Sequence, residues 1–220
     1  MSITEFAVVS LKPGIQPNDP SLQSVLKSCI ETLHAAPGGA NFRFLKQVHR
    51  DGSHQRICLL GGWATVSDHA TFLQSGQVRE LLQQLVPYVA VDVVHHVDFD
   101  VTRIRVGDDG RVEASILTLQ DGKKEIFENA RDKNVVGGWK LGKKDKGEFG
   151  RAIGLVRGQL HQEAVEEGGE VETQEKDIWL GFSIKGRDSM SRFREDVINL
   201  LQSVEVLEFD AIESTYLGTR

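Results

Sequence analysis

Two ferredoxin-like β-α-β-β-α-β units, packed sheet-to-sheet as one α+β barrel within a single chain, are the fold class that these 220 residues predict. Three observations predict it. The first is an internal repeat. Thr4-Glu5-Phe6-Ala7-Val8-Val9-Ser10-Leu11-Lys12-Pro13-Gly14 aligns with Val112-Glu113-Ala114-Ser115-Ile116-Leu117-Thr118-Leu119-Gln120-Asp121-Gly122. Near the other end of each copy, His96-Val97-Asp98-Phe99-Asp100 aligns with Val206-Leu207-Glu208-Phe209-Asp210, and Gly38-Gly39-Ala40 aligns more loosely with Gly137-Gly138-Trp139. The second is the order of periodicities, in which runs of period 2 and runs of period 3.6 alternate as the ferredoxin-like unit requires. The third is that a four-stranded sheet with helices on one face leaves its other face apolar and wet, at ~25 cal/mol per Å². Two copies in one chain cover each other. The chain therefore divides into a first unit over 1–102, a linker over 103–110 and a divergent second unit over 111–220 with an insertion at 143–176.

Residues 6–11 form the first strand, stopped by Pro13-Gly14. Asp19-Pro20 supplies an N-cap and an N1 proline. Leu22, Val25, Leu26, Cys29, Ile30 and Leu33 then follow at the spacing of a one-sided helix. Strands at 42–48 and 55–65 flank the turn signal Asp51-Gly52. Ser67 caps a helix carrying Leu73, Val78, Leu81, Leu82 and Leu85, and 89–99 is a long closing strand. On that strand Val89, Val91, Val93, His95, Val97 and Phe99 share one face, while Ala90, Asp92, Val94, His96 and Asp98 share the other.

The second unit repeats this order. Strands fall at 113–119, 135–141, 177–184 and 204–212, with helices at 123–132 and from Asp188 onward, the latter turning Met190, Phe193, Val197 and Leu201 inward. Within 143–176, Phe149, Ile153, Val156, Leu160 and Ala164 recur at helical spacing, which predicts an inserted amphipathic helix followed by an acidic stretch.

Composition narrows the function classes. Lys and Arg number 26 against 32 Asp and Glu, a net charge of −6, whose field disfavours nucleic acid and anionic membrane. No apolar run approaches the ~18 residues of a membrane span. The N-terminal residues show no basic segment followed by an apolar one, and Cys29 and Cys58 make no disulfide framework or zinc spacing. A cytoplasmic protein is expected. No phosphate loop, G-x-G-x-x-G, H-E-x-x-H, C-x-x-C or G-x-S-x-G is present, so no cofactor and no metal is expected.

His96 and Asp98 are the expected catalytic pair. They lie two apart on one strand face, and a carboxylate beside a histidine favours the imidazolium that a general base forms. The repeat replaces them with Val206 and Glu208. A histidine closing the barrel rim by hydrogen bonding fits the same position. His95 faces the other way and reads as an interfacial histidine. His49 and His54 flank the hairpin turn without a carboxylate. Trp63, at the end of a strand, could stack on an aromatic substrate or pack in the core, and Trp139 and Trp179 share that ambiguity. Phe42, Phe44, Phe6 and Tyr88 are candidate lining residues. His69 lies in the first turn of a helix.

The first unit resembles the antibiotic-biosynthesis-monooxygenase-type dimeric α+β barrel, and most of all its tandem-repeat form common in fungi. The resemblance rests on Pro37-Gly38-Gly39, Lys46-Gln47-Val48, the run from Gly62-Trp63 through Ser67, His69 and Phe72 to Ser75, and His96-Val97-Asp98-Phe99. The acidic residue usual after the tryptophan is absent. The resemblance implies a small-molecule enzyme of secondary or catabolic metabolism, in the first instance a cofactor-independent monooxygenase. Its substrate would be a phenolic or polyketide-like molecule in the barrel cavity, with Trp63, His69, Phe42, Phe44 and Tyr88 around it. A polyketide cyclase or isomerase using the same pocket, and a non-catalytic, stress-associated ligand-binding barrel, are the alternatives. Haem degradation would ask for a histidine on a helix with a pocket tryptophan and asparagine, and only His69 and Trp63 offer themselves. The expected partner is a small apolar or aromatic molecule, with the two units acting as a dimer within one monomeric chain and further self-association left open.

Overall fold

The computed structural model describes residues 2–48, 55–104, 111–136, 148–157, 178–183, 193–195 and 197–212. Its strands are β1 (Ile3–Leu11), β2 (Gly39–Gln47), β3 (Arg56–Trp63), β4 (Val89–Val97), β5 (Val112–Leu119), β6 (Glu148–Arg157), β7 (Ile178–Ser183) and β8 (Leu201–Ala211). The helices are α1 (Pro20–Ala35), α2 (Val66–Leu73), α3 (Gly76–Leu85) and α4 (Lys124–Val136). None of the helices described is long and apolar enough to cross a membrane.

The strands close into one barrel in the order β1-β3-β2-β8-β5-β7-β6-β4, every pair antiparallel. Strands β1 to β4 are arranged β4-β1-β3-β2, and β5 to β8 are arranged β8-β5-β7-β6. The two groups join edge to edge through β2–β8 and β4–β6, which closes the ring among the described strands. Inward side chains from both groups, including Phe6, Cys58, Leu60, Ala114, Phe182 and Phe209, fill the barrel axis as one buried cluster. Phe6 meets Phe182 edge-on at 5.5 Å and Phe209 at 6.0 Å. A cofactor or substrate in the middle of the barrel would have to displace these rings.

The outer face of the first group packs under helices. The α1 stripe of Leu22, Leu26, Cys29, Ile30 and Leu33 is buried as its spacing requires. Pro20 opens α1, but Asp19 does not cap it. Its carboxylate turns back to accept from the Gln16 backbone N–H at 2.8 Å. The helix expected after Ser67 is two helices. Thr65, rather than Ser67, caps α2 by accepting from the Asp68 N–H, and the chain breaks at Gln74-Ser75 before α3.

Three expectations need correction. First, β4 is not a uniform alternation. Its pairing with β1 shifts between Val8 and Val9, which leaves Asp92 as an extra residue. Val89 and Val91 therefore pack on the helices, while Val93 and Val97 face the barrel. Asp92 accepts from Ser10 Oγ at 2.8 Å and pairs with Arg56 Nε at 3.2 Å. Second, residues 148–157 are strand β6, not the inserted helix. Gly150 and Gly154 each weaken a helix by about 1 kcal/mol, and pairing with β4 and β7 supplies the strand with partners on both edges. Third, α4 runs through Val135 and Val136, where a strand was expected. Residues 137–141, the linker residues 105–110, the rest of the insertion, and Asp188 with Met190 lie outside the described residues. Phe193, Val197 and Leu201 are buried together, but Leu201 is the first residue of β8 and not part of the expected helix.

Candidate functional site

The site is built from one strand residue outward. In β1, Phe6 and Val8 face the barrel, so Glu5 faces the helices. Its cross-strand neighbours are His96 on β4 and Gly61 on β3. His96 therefore also faces the helix layer, and His95, opposite Phe6, faces the barrel interior. Regular alternation along the strand would make His95 the interfacial histidine; it is His96 that meets the helices. Asp98 lies beyond the last residue of β4 and is exposed, so the carboxylate beside His96 is that of Glu5.

Gly61 allows the next layer. A Cβ there would lie 1.9 Å from the Phe42 ring, so the bare backbone lets that ring lie across β3. Phe42 then packs edge-on against Trp63 at 5.2 Å. Trp63 is 1% exposed, and its indole N–H donates to Glu5 Oε2 at 2.8 Å. Helix α2 closes the group from above. His69 and Phe72, three residues apart, share its inward face and are both buried. Phe72 lies 5.0 Å and His69 5.2 Å from Trp63, ring to ring. Asp68 pins the start of α2. Its carboxylate accepts from Thr65 Oγ1 at 2.7 Å and packs on Gly38, whose φ of +77° suits glycine.

The polar centre is compact. His69 Nε2 lies 3.5 Å from Glu5 Oε2, and the His69 and His96 rings are 4.5 Å apart at 47°. Burial pushes His69 below 6.5. Glu5 pulls it back up and His96 pushes it further down, but burial is the largest influence. His69 is therefore neutral near pH 7, and its contact with Glu5 is not a formed ion pair. His96 Nε2 is buried and has no hydrogen-bond partner among the described residues. An unpaired imidazole nitrogen beside a half-buried carboxylate can accept a proton, bind a substrate hydroxyl or ligate a cation.

The structure thus brings together Trp63, His69, His96 and Phe42 from the expected set, while Phe44 lies buried in the same helix-side core. Tyr88 is partly buried at the α3–β4 connection, where its carbonyl accepts from the Lys12 N–H at 2.8 Å. Glu5 was not expected. Its signal was an acid in the outward row Ile3, Glu5, Ala7, Val9, Leu11, which is otherwise apolar. Cys58 is buried in the barrel core and Cys29 on the inner face of α1. Burial raises both thiols, Cys29 to about 12.

No family model matches the sequence, and no curated protein matches it. Solved structures do. A Fusobacterium nucleatum protein proposed to be a monooxygenase superposes with a TM-score of 0.59 at 8% identity, covering 96% of this chain and 92% of its own. An anthrone oxidase-like protein gives 0.56 at 8% identity, with 96% and 91% covered. A variant chlorite dismutase of Candidatus Nitrospira defluvii gives 0.58 at 10% identity, with 96% and 91% covered. At such identities the likeness is one of fold, and the fold shared along nearly the whole chain is the α+β barrel.

Proposed function

We propose that the protein is a small-molecule enzyme, a monooxygenase acting on a phenolic or polyketide-like substrate at the helix-side cluster of the first unit. The observation that carries the reading is the convergence of Glu5, His69 and His96 on an aromatic wall of Trp63, Phe42 and Phe72. The wall suits a flat aromatic ring. His96 Nε2 takes the substrate proton, and Glu5 stabilises the imidazolium that results. The carbanion, or its phenolate form, passes electrons to O2 and forms a carbon–oxygen bond. Loss of water from the peroxide leaves a carbonyl, so one oxygen atom enters the product and the other leaves with two substrate hydrogens. No bound cofactor is required by this sequence of steps. The reading sets the substrate on the helix side of the sheet, where Glu5, His69 and His96 meet, rather than in the barrel axis.

We further infer that the two four-stranded groups descend from one duplicated unit, 1–102 and 111–220, as in the tandem-repeat members of the resembled family. The shared strand order and the turn glycines Gly14 and Gly122, both at positive φ, support this. A monomer in the cytoplasm, with a small molecule as its partner, completes the reading. O2 uptake with a panel of phenols and anthrone-like ketones tests it. His96→Ala is expected to lower the rate by about 10²–10⁴-fold. Equal rates would remove His96 from the chemistry.

A further inference from the structure

We propose that Glu5, His69 and His96 form a site for one divalent first-row transition-metal ion, which takes the place of the proton in the reading above. These are the sole group of three or more potential ligands of this kind among the described residues. Their ligand atoms all lie within 4.8 Å of one another. The inference goes beyond the proposed reaction, because an imidazole that holds an ion cannot also serve as the base. Metal-bound and metal-free proteins would be two distinct states of His96.

Distances support a site that closes around an ion. Bonds of ~2.1 Å put adjacent ligand atoms about 3–3.5 Å apart. Glu5 Oε2 and His69 Nε2 already stand at 3.5 Å, so the remaining contraction falls to His96. Two imidazoles on neighbouring positions of one ion have ring centres about 4.5–5 Å apart, the ~2.1 Å bond plus the ring radius on each side. The rings of His69 and His96 are 4.5 Å apart.

Chemistry narrows the ion. Two imidazoles and one carboxylate suit zinc, or iron(II) with open positions, whereas calcium and magnesium prefer oxygen ligands. His96 Nε2 is buried and lacks a hydrogen-bond partner among the described residues, a cost that an ion would relieve. Trp63 donates to Glu5 Oε2 and so fixes the carboxylate from outside, as outer-shell partners of metal ligands do. The three side chains come from β1, α2 and β4, so the ion would tie helix to sheet.

The test uses the full chain stripped with a chelator and titrated with Zn2+ by calorimetry and with Co2+ by visible absorption. One ion per chain is expected. Glu5→Gln and His96→Asn should each weaken binding by about 100-fold or more, since losing even an outer partner costs up to that much. A His49→Ala, His54→Ala double variant should bind as wild type. Circular dichroism checks that each variant is folded, and either ligand variant suffices if the other is not. Absence of saturable uptake, or uptake unchanged in a folded ligand variant, overturns the proposal. Binding is read without substrate, so a protein that binds Zn2+ but never consumes O2 sinks only the oxygenase reading. One that consumes O2 without binding metal sinks only the metal site.

Discussion

The same place in the barrel wall has been finished in two ways. Glu5 in β1 and Glu113 in β5 occupy aligned positions, and both face the outer layer. Glu113 is neutralised. Arg194 Nη1 donates to its Oε1 at 2.6 Å and to Ser115 Oγ at 2.7 Å, with both charged side chains about 15% exposed or less. Among the described residues, no Lys or Arg pairs with Glu5. It receives the Trp63 N–H and faces two histidines. One position has become a closed ion pair, and the other is a half-buried acid among groups that can trade protons or ligate. Stability would favour the first arrangement. The second is what a functional site looks like when the fold tolerates it.

The largest effect expected from this contrast is on stability. Arg194→Met leaves Glu113 buried and uncompensated, and should cost about 3–5 kcal/mol in urea unfolding. Adding Glu113→Leu should restore most of it, because an apolar pair of similar volume is often no worse than the ion pair. Glu5→Gln, which keeps an acceptor for Trp63, should shift stability by no more than about 1 kcal/mol. A cost below 1 kcal/mol for Arg194→Met would mean that water already screens the pair, and the contrast between the two positions would collapse.

A smaller effect sharpens the first position alone. Gly61→Ala drives a methyl into the Phe42 ring. Overpacking of this kind costs about 1–3 kcal/mol. Because Phe42 leans on Trp63, and Trp63 on Glu5, the indole emission should shift and substrate or metal binding should fall with it. A variant with unchanged emission would show that the Phe42–Trp63 contact does not organise the site. The counterpart of Gly61, opposite Glu113 in β7, is Ser183 rather than a glycine, and no aromatic ring crosses the strand there among the contacts described.

How far the residues themselves foretold this can be judged from β4 and β8. The strand order was legible because alternation in β1 and β5, the α1 stripe and the turn glycines all agree. The facing of His96 was not. Alternation carried along from Val89 assumes a regular strand, but the bulge at Asp92 reverses the parity. Aligning His96 with Val206 by sequence also misses the register. Pairing places His96 opposite Glu5 and Glu208 opposite Glu113, so the structural counterpart of His96 is two residues further along. β6 was misread because Phe149, Ile153 and Val156 fit a helical stripe, and only long-range partners decide for a strand. Trp63 and His69 stood out as residue types. Glu5 did not, since a single acid in a strand acquires meaning only from the two strands beside it.

The smallest effect is the most specific to the first position. Burial holds His69 below 6.5, against the weaker pull of Glu5, so the unfolded chain binds a proton more readily than the folded one. Stability is then full above 6.5 and falls as the pH drops below it, by at most about 1.4 kcal/mol per pH unit for one proton. Glu5, His96 and His69 face one another there, and Trp63 adds no charge. His69→Gln should flatten the profile between pH 6.5 and 5 while leaving the plateau above 7 nearly unchanged. If His69→Gln leaves the slope intact, the proton is taken up elsewhere, and His69 is neither as buried nor as neutral as the site requires.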